Sequence, residues 1–109
     1  MPQGRLVLLD LFADEHPVWT RTSALYGHPF IWCMLHNFGG NSAMYGALPA
    51  VAEGVSSALK AAPDNLVGVG MAPEGIEQNP AVYEFMAGEP PPPCCLTCCE
   101  YACLGFLLR

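Results

Sequence analysis

Leu6-Val7-Leu8-Leu9-Asp10-Leu11-Phe12 is an apolar run broken by a single acid. Such a run, without polar alternation, predicts a strand covered on both faces, as in a parallel sheet, with a polar residue near its carboxyl end. Asp14-Glu15-His16-Pro17 then reads as a loop and Tyr26-Gly27-His28-Pro29 as a turn. A second run, Phe30-Ile31-Trp32-Cys33-Met34-Leu35, is rich in aromatic and β-branched residues and predicts another buried strand. It closes in His36-Asn37-Phe38-Gly39-Gly40-Asn41, whose paired glycines can take positive φ and bring backbone close to a ligand.

From Ser42 to Ala62 the hydrophobic period lengthens towards that of a helix. Met44, Ala47, Leu48 and Val51 fall on one face, with Asn41 or Ser42 as the cap. Pro49 and Gly54 interrupt the pattern, so two short helices are expected, at 42–53 and 55–62. Leu66-Val67-Gly68-Val69-Gly70-Met71 is a third strand, ended by Ala72-Pro73-Glu74-Gly75. Asn79-Pro80 predicts an N-cap with proline at the first helical position, followed by an apolar stripe of Val82, Phe85 and Met86 up to Gly88. Trp32, Tyr26, Phe30 and Tyr45 are expected in the core. The order of elements fits an α/β fold of parallel βα units, left unfinished after three strands.

Composition narrows the picture. A chain of 109 residues holds one domain at most. It is 52% hydrophobic and 13% charged, about half the charged share usual in soluble domains, so it needs a large core or a covering surface. The formal charge is −6, and Arg5, Arg21, Lys60 and Arg109 are scattered. That excludes the basic patch on which nucleic acids or anionic membranes dock. Charges or prolines interrupt every apolar run well before the ~18 residues of a membrane span. The run after Arg5 meets Asp10 too soon for the apolar region of a signal peptide, so neither a span nor an export address is expected.

In parallel α/β folds chemistry gathers at the carboxyl ends of the strands. The polar residues there are Asp10 and Asp14, then His36 and Asn37, then Glu74. Each has a plain reading beside the functional one. Glu74 is either a pocket carboxylate or a surface acid near the start of the next helix. His36 is either a ligand-binding group or a satisfied loop histidine. Trp32 is either a sugar-stacking platform or core.

The segment His28-Pro29-Phe30-Ile31-Trp32-Cys33-Met34-Leu35-His36-Asn37-Phe38-Gly39-Gly40-Asn41 resembles a signature of the family 89 glycoside hydrolases, the α-N-acetylglucosaminidases. So do Leu9-Asp10-Leu11-Phe12-Ala13 before it and Gly68-Val69-Gly70-Met71-Ala72-Pro73-Glu74-Gly75-Ile76-Glu77-Gln78-Asn79 after it. The resemblance runs from about Arg5 to Met86 without an insertion. It implies an incomplete (β/α)8 TIM barrel of about three βα units over residues 1–87. It also implies a retaining exo-glycosidase that removes terminal α-linked N-acetylglucosamine from glycans, with no metal or organic cofactor. Glu74 matches the family's nucleophile, and Leu11, Leu35, His36, Asn37 and Phe38 match the neighbourhood of its sugar pocket. The family's acid/base glutamate lies on an earlier strand and has no counterpart in this sequence, so the chain is expected to be inactive alone. Relatives act in the lysosome or vacuole.

Residues 88–109 depart from the family pattern and are expected not to belong to its fold. Pro90-Pro91-Pro92-Pro93 predicts an extended spacer. Cys94, Cys95, Cys98, Cys99 and Cys103 follow, and they keep a rival reading open, that of a Cys-rich metal-binding or interaction protein. One CxxC, Cys95 to Cys98, falls short of the paired knuckles of a structural zinc site. A palmitoylated anchor beside the apolar Leu104–Leu108 end is a further reading of the same cysteines. Unpaired parallel strands also offer a route to self-association through open sheet edges.

Overall fold

The three apolar runs become three short parallel strands, β1 (Leu8–Asp10), β2 (Phe30–Met34) and β3 (Leu66–Met71). They are seen in a computed structural model that describes residues 6–37, 46–73 and 78–88. The strands lie in the order β1-β2-β3. Leu8 stands opposite Phe30 and Asp10 opposite Trp32; on the other side, Trp32 stands opposite Val69 and Met34 opposite Met71. A register irregularity falls between Phe30 and Ile31. All three carboxyl ends therefore point the same way.

One face of β2 carries Phe30, Trp32 and Met34, each fully buried. Burying such side chains is worth about 1.5–3 kcal/mol apiece, which makes this face the centre of the core. On the opposite face Ile31 and Cys33 lie against Gly68 and Gly70. A Cβ added at Gly70 would stand 3.2 Å from the Cys33 sulfur.

β1 is shorter than its apolar run, because residues 11–15 turn away from the sheet. Val7 and Leu9 are 50% and 59% exposed, so the expectation of a strand covered on both faces does not hold. Continuous apolar character marks a face that could be covered, and here Leu9 opens onto a cavity that it shares with Val18, Arg21 and Leu25.

Between β1 and β2 the chain makes a 3-10 turn (Trp19–Arg21) and then α1 (Ser23–Tyr26), a single turn whose residues all have φ between 50 and 57°. Left-handed backbone costs about 1–2 kcal/mol per residue outside glycine. The turn is held by the Leu25 N–H donating to the Thr22 hydroxyl (3.2 Å) and is ended by Gly27 at φ 78°. This geometry swings Tyr26 outward to 78% exposure, correcting its expected place in the core.

Where two helices were expected before β3, the structure has one from Leu48, α2 (Leu48–Ala61). Pro49 sits in its first turn, where a missing N–H costs nothing. Gly54 lies inside the helix without breaking it. A Cβ there would stand 2.6 Å from Cζ2 of Trp32, so the glycine lets the helix close onto the indole. Val51, Val55 and Ala58 form the buried face of α2 and join Phe30, Trp32, Met34 and Leu66 in one core.

The last helix, α3 (Pro80–Gly88), starts as its sequence predicts: Asn79 Oδ1 accepts the Ala81 N–H at 3.0 Å. Its buried stripe is Val82 and Met86, with Tyr83 packed beside them; Phe85 is exposed instead. The expected cap at Asn41 or Ser42, the apolar Met44, and Tyr45 lie outside the described residues, as does the tail beyond Gly88. Among the described residues no helix is long and apolar enough to cross a membrane.

Candidate active site at the carboxyl rim of the sheet

Asp10 is the last residue of β1 and is 3% exposed. One carboxylate oxygen accepts the N–H groups of Val18 (2.9 Å) and Trp19 (2.8 Å), which ties the start of the 3-10 turn to the end of the strand. The other oxygen is buried without a hydrogen-bond partner among the described residues.

Asp14 is 4% exposed and reaches across to the next strand. Its Oδ1 accepts the Leu35 N–H at 3.0 Å and its Oδ2 the His36 N–H at 2.9 Å. Burial pushes its carboxyl above the ordinary range, and the two backbone donors pull it partly back. The nearby Ala13 N–H donates to the Cys33 carbonyl at 3.0 Å, so the loop after β1 is stitched onto the end of β2.

That end is unusual in its backbone. His36 has φ 62°, a conformation in which histidine is among the better tolerated side chains. Its imidazole is fully buried, and Nε2 accepts the Asn79 N–H at 3.2 Å. A neutral ring that accepts at Nε2 carries its proton on Nδ1. Gly46, at φ 64°, lies directly on the ring; a Cβ there would be 2.9 Å from Nδ1. Asn37 is also fully buried, and its carbonyl accepts from Gln78 Nε2 at 3.1 Å.

The ring of Tyr83 meets that of His36 edge to face, 5.8 Å between centroids, and its hydroxyl donates to Gln78 Oε1. Burial, with the Asp14 charge as a second cause, pushes the phenol above its usual value and keeps it a donor. Cys33 lies near the same rim, at the penultimate position of β2. Burial first, then the charges of Asp10 and Asp14, push its thiol up to about 11.

The rim therefore brings together four of the five polar residues singled out from the sequence: Asp10, Asp14, His36 and Asn37. The fifth, Glu74, lies outside the described residues, between Pro73 and Gln78. Phe38 and the Gly39-Gly40 bend lie outside them too. Leu35 is 3% exposed behind the rim. Leu11 is 44% exposed and helps to line a cavity of about 420 Å3 with Leu9, Asp10 and Phe12. Gln78 and Tyr83 were not anticipated. The one available signal was spacing, since Tyr83 falls one helical turn after Asn79 and so shares a face with the helix start. Among the described residues no group of three or more His, Cys, Asp or Glu is arranged to hold a metal ion.

Residues 1–90 match the α-N-acetylglucosaminidase (NAGLU) TIM-barrel domain family. The human α-N-acetylglucosaminidase is 58% identical over 87 residues, which are 80% of this chain and 12% of that protein. A family 89 glycoside hydrolase from Clostridium perfringens, solved with 2-acetamido-1,2-dideoxynojirimycin, superposes with a TM-score of 0.66 at 37% identity, over 79% of this chain and 10% of its own. Another structure from that organism holds the substrate GlcNAc-α-1,4-galactose in a variant with two glutamates changed to glutamine. It superposes with a TM-score of 0.61 at 39% identity, over 73% of this chain and 9% of its own. The chain thus spans about a tenth of the length of these relatives. The match favours the glycosidase reading over that of a Cys-rich metal-binding or interaction protein. With its three parallel strands and their helices laid out as part of a TIM barrel, the chain belongs to the α-N-acetylglucosaminidases of glycoside hydrolase family 89.

Proposed function

We propose that this chain is part of a retaining exo-glycosidase barrel, that Glu74 is its nucleophile, and that the 109-residue polypeptide alone does not turn over. The observation that carries the reading is the course of the chain past β3. Met71-Ala72-Pro73 leaves the strand at the rim where Asp14, His36 and Asn37 are buried, and Glu74 is the next residue.

In a retaining hydrolysis a carboxylate attacks the anomeric carbon and forms a glycosyl ester. A second carboxyl some 5–5.5 Å away gives its proton to the departing oxygen, then takes one from the water that cleaves the ester. The two glutamate-to-glutamine changes in the substrate-bound Clostridium enzyme suit such a pair.

Among the described residues, Asp10 and Asp14 are the carboxylates buried at the rim, and each already accepts two backbone N–H groups. That work leaves them poorly placed to shuttle a proton, so the acid/base belongs to another part of the barrel. Of the proposed wall residues, Leu11 offers an exposed side chain, while Leu35, His36 and Asn37 back the pocket and Phe38 follows them in sequence.

The test puts residues 1–87 of this chain in place of the matching segment of the human enzyme. The chimera is expected to hydrolyse an aryl α-N-acetylglucosaminide, and Glu74→Gln to lower its kcat by about a thousandfold or more. A chimera indifferent to that substitution removes Glu74 from the role. Turnover by the 109-residue chain itself, abolished by Glu74→Gln, would keep the site and overturn the inactivity.

A further inference from the structure

We draw no further inference here: the strongest candidate, the cavity of about 290 Å3 between the loop after β1 and α2 with Trp19 and Trp32 in its wall, carries nothing because both indole nitrogens, unpartnered among the described residues, are buried out of a ligand's reach.

Discussion

Asp14 is a carboxylate left only 4% exposed, facing two backbone N–H groups that fold with it. Desolvation outweighs those donors, so its carboxyl sits above the ordinary 3.8. The folded chain then binds this proton more tightly than the unfolded chain does. The stability linked to it is fully present below the ordinary carboxyl range and is lost as pH rises through the raised folded value. Urea unfolding at a series of pH values should accordingly show the stability of the native chain falling, relative to Asp14→Asn, as pH climbs from about 3 through that window. A difference that grows instead would mean that the N–H groups of Leu35 and His36 dominate. Asp10, Asp14, His36 and Asn37 could be picked out beforehand because each follows an apolar run that reads as a strand. Their buried state could not, since it depends on which backbone donors the neighbouring strand brings to them.

At the level of helices and strands, Gly54 separates what sequence reveals from what it conceals. In a linear pattern a glycine weakens a helix, and replacing it by alanine should stabilise an exposed turn by about 1 kcal/mol. Here the new methyl group would meet the Trp32 ring at 2.6 Å, and that ring is fully buried. Overpacking of this kind costs about 1–3 kcal/mol, so Gly54→Ala is expected to lower the melting temperature on balance. In a Trp32→Phe background the same change should cost less, and the double-mutant cycle measures the contact. The start of α3 was legible because Asn79 and Pro80 act within one turn of each other. The continuity of α2 was not, because its reason is an indole 22 residues earlier in the chain.

For the molecule as a whole, the feature with the largest consequence is the open side of β1 among the described residues. Val7, Leu9 and Leu11 are 50%, 59% and 44% exposed along one short stretch, next to a strand with no neighbour on its outer edge among the described residues. Such an edge pairs readily with other chains. Sedimentation velocity should show concentration-dependent association, and Leu9→Lys should shift the chain towards monomer while leaving its melting temperature within a few degrees. An unaltered distribution would place the contact elsewhere. Membership in the family was legible in a 14-residue block and its two flanking motifs, because that block runs unbroken through one strand and its exit. The positions of Glu74 and of the residues beyond Gly88 lie outside what the structure describes.

The shared direction of the strands has one more effect. Gly27 and Asn65 approach each other at the end of the sheet from which β2 and β3 depart, a full strand length away from His36 and Asn37. The bends before β2 and β3 thus lie at the opposite pole from the buried polar rim. Drift around Pro63 and Asp64 has little leverage there, whereas a slip of one residue in β2 would displace every hydrogen bond of that rim at once.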